Sequence, residues 1–238
     1  MDKLYIIIPA YNEEANIDTV IRDWYPIVEK IGNGSRLVII DDGSKDSTYS
    51  IMKQQAEKLM AFEPVTKPNA GHGGTVLYGY QYAIDAGADY VFQTDSDGQT
   101  LPEEFWPFWE QRKSYDMVIG HRRGRQDGLS RVFVTKTLKL VLWLCFQVKV
   151  TDANTPFRLM KTVTLKKEIK LIPEGYNLSN VIISVIYAKK KKKVQYLPVT
   201  FRPRQGGVNS INMKKIFKIG KQAFKDFKKI NQVLKQKG

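Results

Sequence analysis

Cysteine and long apolar runs are scarce in this chain of 238 residues. Its single cysteine, Cys145, cannot form an internal disulfide, so we expect a reducing, cytoplasmic setting. The first residues lack the pattern of a secretory leader, so we expect none. The longest uncharged apolar run in the middle, 140–148, is far shorter than the roughly 20 residues of a membrane-spanning helix. The sequence therefore predicts a chain that crosses no bilayer.

The composition excludes a disordered or fibrous protein. Hydrophobic residues make up 42%, aromatic residues 11% and charged residues 26% of the chain, which is ordinary for a globular domain. The length suits one large α/β domain, because single cores grow to roughly 250–300 residues.

Acidic residues are almost missing from the last fifty positions. The formal net charge is +14, yet residues 1–188 carry 22 basic and 23 acidic side chains, while residues 189–238 carry 16 and 1. A neutral body with a basic C-terminal segment indicates an anionic surface partner at one end of the protein.

Short β-branched runs alternate with helical patterns in the first half. This alternation predicts a mostly parallel central sheet with helices on both faces. The predicted strands are 4–8, 36–40, 64–67, 90–94 and 116–120, and the predicted helices are 13–31, 46–62, 74–86 and one after Pro102.

The second half is less regular. We predict an apolar helix at 129–148, a loop at 151–157, a helix at 177–188 and a strand at 194–201. The lysine run 189–193 is typical of a solvated connector. Since no linker or repeat is visible, we divide the chain into one domain, 1–211, and a basic C-terminal segment, 212–238.

Polar residues follow the first two strands, at the edge where open parallel sheets bind ligands. The first strand leads into Pro9-Ala10-Tyr11-Asn12-Glu13, and the second leads into Asp41-Asp42-Gly43-Ser44. Turns and helix caps explain some of these residues, but not two adjacent aspartates. The glycine-rich segment 70–75 favours an anion at a helix N-terminus, although loop geometry is the more frequent reason for such glycines.

The sharpest motif is Asp95-Ser96-Asp97-Gly98-Gln99, directly after an apolar strand. Two carboxylates at this spacing can reach one hard divalent cation, and Gln99 can add a third oxygen. A polar turn before the Pro102 helix is the competing interpretation. Arginines also gather near strand ends and at a helix start, where their guanidinium groups suit phosphate; they are Arg122, Arg123, Arg125, Arg131, Arg202 and Arg204.

These motifs, in this order, resemble a GT-A glycosyltransferase of the inverting family 2, and most closely its polyprenyl- or dolichyl-phosphate mannose synthase branch. The resemblance covers about residues 4–212. Beyond the motifs above, it rests on Ile119-Gly120-His121-Arg122, on 152–159 and on Phe201-Arg202-Pro203-Arg204.

The resemblance implies a Rossmann-like fold and a role for each matching residue. Asp97 is expected to be catalytic, and Asp95, Asp97 and Gln99 are expected to hold Mg²⁺ or Mn²⁺. The nucleotide-sugar donor, GDP-mannose or a UDP-hexose, is expected to contact Pro9, Ala10, Tyr11, Glu13, Ile40, Asp42, Gly71, Asp95, Ser96, Arg122, Arg131 and Arg204.

Two departures from that branch leave the acceptor open. The chain reads Gly175-Tyr176-Asn177 where a lysine is common, and the segment after Arg204 also lacks one. A polyprenyl phosphate is the leading acceptor. For a saccharide hydroxyl in cell-surface glycan synthesis, Asp152 would be the base, although it can equally be a turn or cap residue.

The basic segment predicts an amphipathic helix at 213–234. Its apolar residues fall on one helical face and its lysines on the other, which favours an anionic membrane surface. Packing of the apolar face on the domain is the alternative. Nucleic acid is disfavoured because the phenylalanines lie apart from the lysines. A non-catalytic binding module would leave Asp95, Asp97 and the arginines without a role, so we expect a peripheral enzyme on the cytoplasmic face of a membrane.

Overall fold

The computed structural model of the chain describes residues 2–122, 129–173, 176–202, 226–227 and 230–232. For residues 122 and 129–136 it describes the backbone alone. The predictions that involve Arg204 and most of 213–234 lie outside the described residues, as do the side chains of Arg122 and Arg131.

The described part of the chain alternates strands and helices. The strands are β1 (Leu4–Ala10), β2 (Arg36–Asp41), β3 (Phe62–Thr66), β4 (Tyr90–Gln93), β5 (Met117–Arg122), β6 (Arg158–Lys161) and β7 (Val194–Val199). The α-helices are α1 (Ile17–Ile31), α2 (Thr48–Ala56), α3 (Gly71–Asp85), α4 (Phe105–Gln111), α5 (Leu129–Phe146), α6 (Thr162–Glu168) and α7 (Ser179–Lys189). Short 3₁₀ turns lie at Pro102–Glu104 and Ile169–Leu171.

These strands form one sheet in the order β3-β2-β1-β4-β6-β5-β7. Strand β6 runs antiparallel to both β4 and β5, and the other pairs are parallel. The prediction of an α/β fold with a mostly parallel sheet is therefore confirmed.

Both faces of β1 are buried, because helices cover the two sides of the sheet. Ile6 and Ile8 point into the cluster that contains the α1 residues Val20 and Trp24. The alternate residue Ile7 packs with the opposite cluster, which includes α3 and α7. Period-two alternation in a doubly covered strand thus places apolar side chains on both faces, which explains the continuous apolar run of β1.

Several predicted boundaries were wrong, and one strand was missed. Helix α2 ends at Ala56 instead of continuing to Phe62, because Phe62 begins β3 and pairs with Leu37 of β2. Strand β7 ends at Val199. Strand β6 was not anticipated, because its four residues, 158–161, begin and end with charged side chains.

The lysine run 189–193 is more than a solvated connector. The carboxylate of Glu168 is almost fully buried, and it lies 3.1 Å from Nζ of Lys192 and 3.7 Å from Nζ of Lys190. Nζ of Lys189 donates a 2.9 Å hydrogen bond to the Phe146 carbonyl at the end of α5. Paired lysines therefore offset the cost of burying this carboxylate.

Two apolar residues of the predicted C-terminal helix belong to the domain core. Phe227 and Ile230 are buried, and the Phe227 ring centroid lies 5.4 Å from that of Phe146. Nδ2 of Asn231 donates a 2.7 Å hydrogen bond to the Cys145 carbonyl. At these positions the apolar face packs against α5. Across the described stretches, no helix combines the length and the apolarity that a membrane span requires.

Candidate active site

The carboxyl ends of β2, β1 and β4 lie side by side at one edge of the sheet. Adjacent strands are about 4.8 Å apart, so the ends of β2 and β4 are separated by about 10 Å across β1. Asp42 follows β2, and the Asp95–Asp97 pair follows β4. The topology therefore brings two acidic sites to one edge, as the sequence predicted.

The loops after β1 and β2 hold each other in place. Asn12 adopts a positive φ of 54°, and its backbone N–H donates to Oγ of Ser44 over 2.9 Å. Its side-chain Oδ1 accepts from the Lys45 N–H, also at 2.9 Å. The Glu13 N–H donates to Oγ1 of Thr48 over 2.8 Å. Tyr11, in the first of these loops, is 44% exposed.

Asp42 is a buried carboxylate with cationic and backbone partners. Its Oδ1 accepts hydrogen bonds from Nζ of Lys67 and, at 2.8 Å, from the Ala70 N–H. Burial raises the pKa of Asp42, but the hydrogen bonds from Lys67, Ala70 and Thr75 outweigh burial and hold this pKa below its usual value. Asp42 is therefore an ionised acceptor at neutral pH.

Two glycines bring the start of α3 against the site. Gly71 has a φ of +76°, which a side chain rarely adopts. A Cβ on Gly73 would lie 2.3 Å from the Asn177 carbonyl oxygen, so only glycine fits there. The glycine-rich segment is therefore explained by turn geometry and by close packing against 176–177.

His72 lies between these glycines and faces Asp95. Its Nε2 is 3.1 Å from Oδ1 of Asp95, and because a carboxylate only accepts, Nε2 carries the proton. Burial lowers the pKa of His72, but the charges of Asp95, Asp42 and Asp97 outweigh burial and raise this pKa above its usual value. The imidazole is half exposed, at 51%.

The Asp95–Gln99 segment is held by its own turn and by the segment after β7. Oδ1 of Asp97 accepts a 3.1 Å hydrogen bond from the Gln99 N–H, as in a polar turn. Nε2 of Gln99 donates a 2.9 Å hydrogen bond to the Arg202 carbonyl. In return, the Arg202 N–H donates a 2.8 Å hydrogen bond to the Gln99 carbonyl. The segment therefore forms a polar turn at the end of a strand, so the two interpretations of this motif are compatible.

Among the described residues, no three His, Cys, Asp or Glu side chains converge into a ready metal centre. The donor chemistry nevertheless suits a hard divalent cation. Asp95 and Asp97 supply partly exposed carboxylates and Gln99 supplies an amide. Mg²⁺ typically binds through one or two carboxylates together with substrate phosphates, so two acids are a sufficient protein contribution.

Asp152 lies in a loop that is organised by a fully buried arginine. Its Oδ1 accepts a 3.3 Å hydrogen bond from the Asn154 N–H, the turn role that the sequence left open. Arg158 donates from Nε to the Thr155 carbonyl at 3.0 Å and from Nη2 to the Ala153 carbonyl at 3.3 Å. Burial lowers the pKa of Arg158, and the charges of Asp152 and Asp95 act in the opposite direction. Both carboxylates therefore lie within electrostatic reach of Arg158.

The other residues predicted to contact the nucleotide-sugar differ in the atoms that they can present to a ligand. Pro9, Ala10 and Ile40 are buried, and the Ile40 side chain packs in the core beside Gly79, so a ligand could meet only its backbone. Ser96 is also buried, at 5% exposure. Oε2 of Glu13 accepts a 2.7 Å hydrogen bond from Nδ2 of Asn16.

Sequence reasoning missed three site residues. Lys67 lies in a predicted strand, Arg158 lies in the matching segment 152–159 and His72 lies in the glycine-rich segment 70–75, but the sequence alone assigns no role to any of the three. A lysine one residue beyond β3, beside a predicted acidic strand end, was the available signal for Lys67. For Arg158, a charged residue directly after apolar Phe157 could be interpreted only once its burial was known.

A family model described as glycosyl transferase family 2 matches residues 5–172. The chain is 32% identical over 190 residues to a UDP-N-acetylglucosamine–dolichyl-phosphate N-acetylglucosaminyltransferase of Methanococcus voltae, covering 69% of this chain and 72% of the relative. It is 29% identical over 140 residues to an undecaprenyl-phosphate 4-deoxy-4-formamido-L-arabinose transferase of Pectobacterium atrosepticum, covering 58% of this chain and 42% of that protein. The chain thus spans less than half the length of this second relative.

Solved structures share the fold at low sequence identity. Glucosyl-3-phosphoglycerate synthase from Mycobacterium tuberculosis in complex with uridine diphosphate superposes with a TM-score of 0.63 at 18% identity, covering 97% of this chain and 80% of that one. The same synthase with Mn²⁺ and UDP-glucose superposes with a TM-score of 0.61 at 18% identity, covering 93% of this chain and 76% of that one. The expected GT-A fold and the expected family are confirmed: the chain belongs to glycosyl transferase family 2.

Proposed function

We propose that this protein transfers a sugar from a nucleoside diphosphate to a polyprenyl phosphate at a membrane surface, with help from a divalent cation. We call Asp42, Lys67 and the Ala70 N–H the Asp42 pocket. The observation that carries the proposal is the pairing of this pocket with the Asp95–Asp97 turn, about 10 Å apart across β1. The two curated relatives above act on dolichyl and undecaprenyl phosphates by name, which supports the acceptor class.

The Asp42 pocket suits a base that presents an N–H beside a carbonyl. Asp42 supplies the acceptor, and Lys67 supplies the donor. Two of the three Lys67 donors go to Asp42 and to the Pro68 carbonyl, which leaves one for a base oxygen. Uracil and guanine present this edge, whereas adenine and cytosine present the reverse pattern. The donor is therefore a UDP-sugar or a GDP-sugar.

Asp95, Asp97 and Gln99 would hold Mg²⁺ or Mn²⁺ on the diphosphate. When bound, such a cation neutralises the charge that develops on the leaving nucleoside diphosphate. The Mn²⁺ in the synthase structure from Mycobacterium tuberculosis supports use of a divalent cation within this fold. The protein's own part is to place the two carboxylates through the Gln99 turn and the Arg202 backbone.

The acceptor phosphate can attack without a dedicated base. A phosphate monoester has its second pKa at about 6, so it is largely ionised at neutral pH. Its oxygen forms a bond to the anomeric carbon as the bond from that carbon to the diphosphate oxygen breaks, which inverts the configuration. A saccharide hydroxyl would instead have to lose a proton, and Asp152 would be the candidate base.

The exposed face of α5 supports a position at a membrane surface, and we propose that this surface is the cytoplasmic one. Leu140, Trp143 and Leu144 share one helical face and are 55%, 45% and 54% exposed. Leu142 and Phe146 on the other face are buried in the core. Three large apolar residues on one exposed face, one of them a tryptophan, suit an interfacial position. Lysines of 213–234 would add attraction to anionic lipid.

The experiment combines a binding screen with an acceptor comparison. Thermal shifts with Mn²⁺ and a panel of nucleoside diphosphate sugars should show stabilisation by uridine or guanosine compounds and little by adenosine or cytidine compounds. The stabilising donor is then incubated with undecaprenyl phosphate, dolichyl phosphate or an oligosaccharide. Transfer to a lipid phosphate supports the proposal. Transfer to the oligosaccharide alone would replace it with the hydroxyl-acceptor alternative.

A further inference from the structure

We infer that His72 is a positioning residue that orients the Asp95 carboxylate for the divalent cation. The inference rests on the proposed function, because it assigns a task to a side chain beside the proposed cation site. The Asp42 pocket alone gives His72 no role, since the His72 ring contacts Asp95.

The hydrogen bond fixes one of the two carboxylate oxygens. Nε2 of His72 donates to Oδ1 of Asp95 over 3.1 Å, which restrains rotation of the carboxylate about its bond to Cβ. Oδ2 is then the oxygen presented to a cation. Groups that hydrogen-bond a metal ligand set its orientation, and their loss typically weakens metal binding by about 10- to 100-fold.

The backbone around His72 is itself held on both sides. Gly71 takes a left-handed φ of +76°, and Gly73 packs so closely on the Asn177 carbonyl that a Cβ there would come within 2.3 Å. The backbone that carries the imidazole is therefore fixed at the beginning of α3. With the backbone fixed, only the side-chain torsions of His72 have to be ordered when the ring orients its partner.

Segment 70–72 also contacts the Asp42 pocket. The Ala70 N–H donates to Asp42 over 2.8 Å, two residues before the ring that holds Asp95. Segment 70–72 thus connects the carboxylate proposed to read the base with the carboxylate proposed to bind the cation. We expect the removal of the imidazole to affect the cation end and to leave the base end unchanged.

The test measures Mn²⁺ binding to the full chain by electron paramagnetic resonance, with saturating UDP or GDP, whichever stabilises the protein more. His72→Leu should raise the Mn²⁺ dissociation constant about 10-fold or more. His72→Gln, whose amide can donate from a similar position, should restore most of the affinity. Nucleotide affinity without metal should be equal in all three proteins. Gln81→Leu is the matched control, because it removes a 2.8 Å bond to Asp85 at the far end of α3.

The outcomes separate the two claims. If the wild-type protein binds no Mn²⁺ with nucleotide, the proposed function loses its cation and the role of His72 is refuted with it. If the wild type binds and His72→Leu binds equally well, the positioning role is wrong while the proposed function stands. If Leu and Gln variants weaken binding equally, the hydrogen bond is not the cause, and the inference is again wrong.

Discussion

The guanidinium of Arg158 donates a 3.0 Å hydrogen bond from Nη1 to the backbone carbonyl of Asn180, which joins β6 to the start of α7. Together with its bonds to Ala153 and Thr155, this fully buried side chain satisfies carbonyls from two separate segments. The Arg158 guanidinium thus stabilises the loop that carries Asp152 through hydrogen bonds to the loop's backbone carbonyls.

Replacement of Arg158 should destabilise the fold. Arg158→Met removes a buried charge, which is favourable, but it also removes a donor from the buried carbonyls of Thr155, Ala153 and Asn180. Oγ of Ser184 contacts the last two but has a single proton to donate, so the cost of the lost donors dominates. We expect the free energy of unfolding to fall by about 3 kcal/mol in urea titrations. Lys161→Met is the control on the same strand, because its bond to the Lys113 carbonyl is exposed. Equal stability of both variants would contradict the role given to Arg158.

Replacement of Lys67 should weaken nucleotide binding. Lys67→Met removes the donor proposed for the base oxygen and the cation that pairs with Asp42. A charge-assisted hydrogen bond contributes about 1.5–3 kcal/mol, so the dissociation constant for UDP or GDP should rise about 10-fold or more in calorimetric titrations. The exposed Lys58→Met serves as the control. An unchanged nucleotide affinity in Lys67→Met would remove Lys67 from the base pocket.

The same variant should alter the pH dependence of stability. In the wild type the pKa of Asp42 is lowered, so Asp42 stabilises the fold above its unfolded pKa of about 3.9, and this contribution is lost as pH falls through the folded pKa. Without Lys67, burial works against the ionised form. The stability difference between wild type and Lys67→Met should therefore be full at pH 7 and shrink below about pH 4. Urea unfolding across this range measures it, and a constant difference would contradict the ion pair.

Two neighbouring glycines should respond differently to alanine. At Gly73 a new Cβ would lie 2.3 Å from the Asn177 carbonyl oxygen, whereas at Gly74 it would meet only the Ala70 Cβ, at 3.1 Å. We expect Gly73→Ala to lower the free energy of unfolding by about 2 kcal/mol. Gly74→Ala should stay within about 1 kcal/mol of the wild type, since alanine favours helix. Thermal unfolding of both variants decides the point, and equal melting temperatures would argue against the close contact.

The exposed face of α5 should contribute to membrane binding. A variant with Leu140→Ser, Trp143→Ser and Leu144→Ser loses three half-exposed apolar side chains, so its partition onto phosphatidylglycerol-containing vesicles should fall on the order of 100-fold. Met60→Ser is the control, because Met60 is 92% exposed and lies elsewhere. Vesicle sedimentation gives the comparison. Undiminished binding of the triple variant would rule out this face as a membrane contact.

The sequence was informative where local patterns coincide with the final topology. The parallel half, β1 to β4, follows from alternating apolar runs and helices, and the Asp42 and Asp95 sites follow from strand ends. Strand β6 could not be predicted, because it inserts antiparallel between β4 and β5 through pairings distant in sequence, such as Phe92 with Leu159. Tertiary pairing, not local propensity, determines such a strand.

Side-chain partners were even less visible in the sequence. The His72–Asp95 contact joins residues 23 positions apart, and the Lys67–Asp42 contact joins residues 25 apart. Neither pair has a spacing that a helix or strand period brings together, so only the folded sheet edge reveals them. The burial of Phe227 and Ile230 likewise depends on packing against α5.

The most direct test of the proposed function is sugar transfer by the wild-type protein and by Asp97→Asn. The assay supplies the stabilising nucleotide-sugar, Mn²⁺ and undecaprenyl phosphate in vesicles, and it measures radiolabelled sugar in the lipid fraction. We expect the wild type to form a sugar-phosphate lipid, and we expect both chelation and Asp97→Asn to reduce the rate by at least about 100-fold without changing the melting temperature. A lipid product formed equally fast with chelator present, or by Asp97→Asn, would contradict a cation held at the end of β4.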